Sequence, residues 1–205
     1  MEERDRRSEI LQAAQGVFNR NGYHQATIRA IVDAANCAAG TFYLYFASKE
    51  DCFLALMDKL YRNIMEQILV ARSQVAGPAD KLRQSFWAVV EGLSRDTELT
   101  SVVLVRAAGA NPLFEERLWR VRDAFAEFIV EDLVECGLTS EQAAIGAHAC
   151  VGALAEAVGV WVRSGQPESA LLVAFEEIER IFWVGWGLTR QIEGVDSTYY
   201  GDRNS

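Results

Sequence analysis

The chain is poor in the residue types that build metal, disulfide and catalytic sites. It has four widely separated cysteines and two histidines among 205 residues. With no CxxC pair, it offers neither zinc-ligand spacing nor a disulfide framework. It also lacks paired carboxylates, a nucleophile with a base and a glycine-rich phosphate loop. These absences argue against an enzyme, and we expect no metal and no cofactor.

A targeting signal is missing as well. The first ten residues, MEERDRRSEI, are mostly charged and contain no apolar core of the kind that secretory signal peptides have. We therefore expect a cytoplasmic protein. Residues 143–162 are long enough to suggest a membrane span, but ten of these twenty residues are alanine or glycine and Glu156 would be costly in lipid. We predict a buried bundle helix there, with no membrane partner.

The chain also lacks a net basic charge. Its formal charge is −9, and because acidic and basic residues balance within residues 1–50, the whole deficit falls on residues 51–205. An acidic body with a neutral, arginine-bearing N-terminal part can still bind DNA through a few placed phosphate contacts. The charge therefore permits DNA binding without indicating it.

Half of the residues are hydrophobic, and they recur at helical spacing along most of the chain. The pattern predicts an all-α protein of about nine helices. We expect an N-terminal three-helix helix-turn-helix domain over residues 1–47 and a C-terminal helical bundle over residues 48–190. Residues 191–205, with two glycines and polar neighbours, suggest a mobile tail.

The most informative stretch is residues 27–49, TIRAIVDAANCAAGTFYLYFASK. It predicts a short helix, a turn at Ala35-Asn36 and a second short helix that turns Thr41, Tyr43 and Tyr45 outward. Apolar helices on either side would support the pair from behind. This arrangement is typical of a helix-turn-helix unit that reads DNA.

The residues of this region resemble the DNA-binding domain of the tetracycline-repressor (TetR) family over roughly residues 8–55. The likeness rests on Gly22-Tyr23, Thr27-Ile28-Arg29, Ala34-Ala35, Gly40-Thr41-Phe42-Tyr43, Tyr45-Phe46 and Lys49-Glu50. The resemblance implies that Thr27 and Arg29 contact DNA from the second helix, and that Thr41, Tyr43 and Tyr45 do so from the third. It also implies that Lys49 holds a phosphate at the start of the fourth helix.

The chain departs from the family pattern at the start of the third helix. Ala38 and Ala39 stand where the family usually has a capping serine and then a basic or polar residue. One helix cap and one DNA contact should therefore be missing, at a cost of about 1 kcal/mol for the cap. Because alanine can meet a thymine methyl group, we expect altered base preference at Ala38 and Ala39 and retained binding.

The helical body offers material for an apolar pocket that binds a small apolar or amphipathic effector. The aromatic and cationic residues predicted to contact the effector are Trp87, Arg106, Phe114, Trp119, Phe125 and Phe128. A guanidinium in the apolar run VVLVRAAG must pair or be solvated. Arg106 could therefore bind an anionic ligand head, pair with Glu156 or reach the surface.

The last two long helices are apolar on more than one face, which predicts a homodimer interface. A dimer would place two reading helices in successive major grooves of a palindromic operator. The sequence therefore suggests a transcriptional repressor that an effector releases from DNA. The alternative is a helical interaction module that no longer binds DNA.

Overall fold

The computed structural model describes residues 2–106, 109–165 and 167–188. Over these residues it contains nine α-helices and no strand, as predicted from the hydrophobic spacing. The helices are α1 (Glu2–Gln25), α2 (Ile28–Ala34), α3 (Ala39–Tyr45), α4 (Lys49–Arg72), α5 (Pro78–Arg95), α6 (Thr97–Ser101), α7 (Pro112–Glu135), α8 (Ser140–Ser164) and α9 (Glu168–Gly185). Helices α1–α3 are called the head below, and α4–α9 the body. The predicted tail, residues 191–205, lies outside the described residues.

Most helix boundaries follow the capping residues in the sequence. Thr27 accepts a hydrogen bond from the amide of Ala30, and Asn111 caps α7 through the amide of Leu113. Thr139 and Gln142 form a reciprocal capping box at the start of α8. Each of these caps uses a residue type that favours the N-cap position.

Two boundaries differ from the prediction. The backbone of Gly22 is left-handed, with φ of 69°, yet the chain resumes a helical turn and α1 continues to Gln25. The apolar run after Ser101 suggests a helix that begins there, but the helix begins at Thr97, capped by Asp96, and passes into a π-helical turn over Val102–Arg106. Asp96 was overlooked because the apolar run after it dominated the hydrophobic pattern.

The head and the body share one continuous core. Tyr23, from the end of α1, lies edge-on to Phe53 of α4 and Phe114 of α7, with ring centres 5.4 and 4.8 Å apart. Phe53 and Phe114 stack at 4.4 Å. Hydrogen bonds add to this junction, with the amide of Gln15 3.0 Å from Asp96. Head and body are therefore joined through packed side chains as well as through α4.

Helix α8 is the one described helix long and apolar enough to cross a bilayer, judged by length and composition. Only 33% of its most apolar window is buried within the single chain. The prediction of a buried bundle helix thus holds for one face. The other face carries exposed Ile145 and Val160.

Candidate functional site

The outer surface of the head is formed by α3 and the start of α2. Asn36 turns the chain between the two helices with a left-handed φ of 47°, a conformation that asparagine tolerates better than most residues. Phe42 and Phe46 are fully buried beneath α3, so the remaining side chains of this short helix face outward. The turn at Ala35-Asn36 was predicted from the sequence.

The side chains predicted to contact DNA share this outer surface to different degrees. Tyr43 is 57% exposed, and the side chain of Arg29 is 90% exposed, 3.9 Å from Asp33. Thr41 and Tyr45 are half-buried, and Thr27 is exposed while it caps α2. Leu44, which was not among the predicted contacts, is 80% exposed beside Tyr43. The sequence signal for Leu44 is its apolar side chain at an outward position of a short helix.

Ala38 and Ala39 are both exposed at the start of α3. Ala38 occupies the N-cap position, and no side chain caps the helix. The predicted absence of a cap is confirmed. A Cβ atom added to Gly40 would meet nothing within 4 Å, so this glycine leaves the start of α3 open toward solvent.

Lys49 has an intramolecular role that the sequence did not indicate. Its ammonium group donates to the carbonyl oxygens of Tyr23 and Ala26, at 2.8 and 2.9 Å. A lysine in the first turn of a helix opposes the helix dipole, and these carbonyls supply the compensating negative charge. Two of the three ammonium donors are thus occupied, and the phosphate contact at Lys49 stays a prediction.

The body contains an apolar cavity of about 110 Å³ that is partly open to solvent. Its wall is formed by residues of α4, α5, α7, α8 and α9, with one residue of the π-helical turn. The lining residues are Tyr61, Ile64, Ile68, Leu82, Ser85, Phe86, Val89, Leu93, Leu104, Leu118, Val121, Arg122, Phe125, Phe128, Ile129, Cys150, Val151, Leu154, Ala155, Val158, Trp183 and Trp186. Among them, Arg122 carries the only full charge.

Two of the aromatic residues predicted for this pocket, Phe125 and Phe128, line the cavity. Three others do not. Trp87 turns away to donate its indole N–H to Glu179 at 3.1 Å, because a partly buried indole needs an acceptor. Phe114 is buried at the junction with the head, since it lies in the first turn of α7. Trp119 is 62% exposed, because it lies one residue beyond Leu118 and so outside the apolar stripe.

Arg106 cannot be assigned to any of its three alternatives, because its side chain lies outside the described part of the structure. The carboxylate of Glu156, its proposed partner, is 72% exposed and pairs with Arg163 at 3.0 Å. Glu156 therefore has a surface role that does not require Arg106.

Two ion pairs lie beside the cavity. Arg72 donates to Ser85 and Asp132, at 3.1 and 3.0 Å, and its guanidinium stacks over Phe128. Arg83 lies 2.7 Å from Glu179. Removing one partner of such a pair leaves a poorly solvated charge, so both pairs fix the helices that form the wall.

Burial controls the titratable groups on the cavity wall. It raises the pKa of the Cys150 thiol to about 12. It also raises the pKa of Tyr61, an effect that nearby Arg122 and Arg117 oppose and Asp58 reinforces. Both groups are therefore neutral near pH 7.

Some known proteins resemble this chain mainly in the head, and others resemble it over most of its length. Residues 10–56 match the family described as bacterial regulatory proteins, tetR family. The uncharacterized HTH-type transcriptional regulator YvdT of Bacillus subtilis is 38% identical over 44% of this chain and 42% of its own length. The repressor KstR of Mycobacterium tuberculosis is 31% identical over 58% of this chain and 47% of its own length. The chain thus spans less than half of these two relatives.

Longer matches cover the body as well. The fatty acid metabolism regulator protein of Bacillus subtilis is 25% identical over 80% of this chain and 88% of its own length. A TetR-like regulator from Rhodococcus superposes with a TM-score of 0.71 at 25% identity, over 89% of this chain and 96% of that one. FadR of Bacillus subtilis, solved with stearoyl-CoA, gives 0.70 at 23% identity over 85% and 96%. These relatives are transcriptional regulators and not enzymes, and over residues 10–56 this chain belongs with the tetR family of bacterial regulatory proteins.

Proposed function

We propose that this regulator is a repressor whose affinity for a palindromic operator falls when a small, largely apolar effector occupies the body cavity. In this proposal residues 1–47 bind DNA, and residues 48–190 bind the effector and form the dimer. The protein acts in the cytoplasm. The repressor KstR, which has a related sequence, and the regulator FadR, which has a related fold and was solved with stearoyl-CoA, support this proposal.

The observation that carries the proposal is the path from the cavity to the head along α4. Tyr61, Ile64 and Ile68 of this helix line the cavity. In the first turn of the same helix, Lys49 donates to the carbonyls of Tyr23 and Ala26, which lie where α1 ends. A displacement of α4 by a ligand therefore has a direct route to the head.

The size of the cavity favours such a displacement. Its volume is about 110 Å³, whereas pockets for drug-sized ligands are typically about 300–1,000 Å³. An effector of that size would extend through the open side of the cavity or push the surrounding helices apart. The effector-bound dimer could hold its two heads at a spacing that does not match the major grooves. In that case effector binding lowers the population of DNA-bound protein.

The proposed dimer interface is the exposed apolar face of α8 and α9. Its large residues are Ile145 and Val160 on α8, and Val173, Ile181 and Val184 on α9, which are 50–66% exposed in the single chain. The opposite face of α9 packs into the body through Leu171 and Phe175. Two packed helices with a shared exposed apolar face suit the self-complementary contact of a two-fold dimer.

Selection of DNA from a random-sequence pool, combined with measurement of the molecular mass in solution, tests this function. We expect a dimer that enriches two inverted half-sites about one helical turn apart. A monomer, or a chain that retains no DNA at low salt, would contradict the proposal and favour the alternative of a helical interaction module.

A further inference from the structure

The cavity wall has one charged position, and it is positive. Arg122 lines the cavity from α7, and its side chain is also partly exposed to solvent. Acidic residues outnumber basic ones by 29 to 20 in the chain. None of the acidic residues is among those described as lining the cavity. The cavity therefore has the opposite charge preference to the protein as a whole.

Arg122 also differs in its ion pairing from a neighbouring arginine of α7. Its neighbour Arg117 is paired with Asp58, with 3.0 Å between Nε and Oδ1. Within the described residues, Arg122 makes no ion pair, and its guanidinium stacks 5.7 Å from the ring centre of Trp119. Stacking on an indole leaves the N–H groups at the edge of the guanidinium free to donate.

Tyr61 adds a neutral donor to the same wall. It lines the cavity from α4, and a tyrosine hydroxyl, whose ordinary pKa is about 10, is protonated near pH 7. A protonated phenol and an unpaired guanidinium are both hydrogen-bond donors, and a carboxylate or phosphate oxygen is the acceptor that satisfies them together.

We propose that the effector is an amphipathic anion, with a hydrocarbon part in the cavity and an acidic head group bound by Arg122, assisted by Tyr61. This inference rests on the proposed function, because it names the ligand class of the same cavity. It excludes amphipathic cations, which would place a positive charge against an unpaired guanidinium. Arg122 thus takes the role that sequence reasoning considered for Arg106.

Three probes of equal chain length test the charge preference: octanoate, 1-octanol and octylamine. Their dissociation constants can be followed by calorimetry and by the fluorescence of Trp183 and Trp186, both on the cavity wall. We expect octanoate to bind about tenfold to a hundredfold more tightly than octanol, the range for a hydrogen bond to a charged group. Octylamine should bind more weakly than either.

The variants separate a charge contact from a packing role. Arg122→Met should abolish the advantage of octanoate while leaving octanol affinity within about twofold, and Arg122→Lys should restore part of that advantage. Arg120→Met is the matched control, since Arg120 lies on the same helix, is exposed and pairs with Glu116. It should change neither constant.

The possible failures point to different conclusions. Equal affinity of octanoate and octanol, or an equal loss of both in Arg122→Met, would overturn the anion assignment while leaving an effector cavity in place. If no probe binds at all, both the anion assignment and the cavity as the effector site are wrong.

Discussion

The ammonium group of Lys49 lies 2.8 Å from the carbonyl oxygen of Tyr23 and 4.4 Å from the centre of the same residue's ring. One lysine thus ties the first turn of α4 to the end of α1 by a charged hydrogen bond and a cation–π contact. Any movement of α4 acts on the head at this point.

Lys49→Met should therefore destabilise the protein. Loss of hydrogen bonds from a charged donor to partly buried carbonyls lowers the free energy of unfolding by about 2 kcal/mol. Urea denaturation measures the change, and Lys59→Met on the same helix is the control. Equal stability of the two variants would show that the Lys49 contacts contribute nothing to the free energy of unfolding. Phosphate binding would then be the remaining role of Lys49.

Arg29 should contact a phosphate and not a base. Its side chain is 90% exposed on α2, and its nearest carboxylate, on Asp33, is 3.9 Å away. We expect Arg29→Gln to weaken binding to all DNA sequences and to reduce the salt dependence of the affinity by about one ion. Arg62→Gln, an exposed position on α4, is the control. An unchanged salt slope in Arg29→Gln would rule out the contact.

The start of α3 can be stabilised by restoring its cap. Ala38 has the extended backbone of an N-cap residue, with φ of −74° and ψ of 151°, and no side chain accepts the free amides. Ala38→Ser should raise the free energy of unfolding by about 1 kcal/mol. Ala39→Ser, one residue inside the helix, should give no such gain. A destabilised Ala38→Ser variant would mean that this backbone is held in another way.

Stability should fall at alkaline pH because of two buried thiols. Burial raises the pKa of Cys52 and of Cys150 from 9.0 to about 12. Folding thus favours the neutral thiol, and this stability is complete below about pH 9 and is lost as the pH rises toward 12.

Comparison with the Cys52→Ala, Cys150→Ala double variant isolates this effect from the tyrosines. The free energy of unfolding of the reduced protein should fall more steeply than that of the variant between about pH 8 and about pH 10. Parallel pH profiles would show that the two thiols ionise equally in the folded and unfolded states.

The sequence predicted the fold well because the signals that define its helices are local. Thr27, Asn111 and Thr139 each cap the helix that follows, and each acts on amides two or three residues away. Burial of Phe42 and Phe46 follows from helical spacing in the same way. Such features depend on neighbouring residues along the chain and not on the tertiary structure.

The cavity was predicted less well, because its wall is assembled from distant helices. Phe125 and Phe128 were identified as aromatic residues on an apolar stripe, but the same reasoning chose Phe114 and Trp119, which face the junction and solvent. Arg122 was missed because it is a charged residue within an apolar stripe. Its aliphatic stem can pack against the apolar neighbours while its charged end stays near solvent. Only the packing of the helices that form the wall reveals which residues meet.

The central claim is that occupancy of the cavity changes DNA binding, and the most direct test is fluorescence anisotropy on a DNA fragment selected by the protein itself. The fragment is titrated with the wild-type protein and with Ala155→Leu, which adds bulk to a cavity-lining position, each with and without saturating octanoate. We predict that octanoate weakens DNA binding by the wild type at least fivefold, the lower end of typical allosteric coupling, and leaves Ala155→Leu unaffected. Equal DNA affinity of the wild type with and without octanoate, under conditions where octanoate is shown to be bound, would contradict the account.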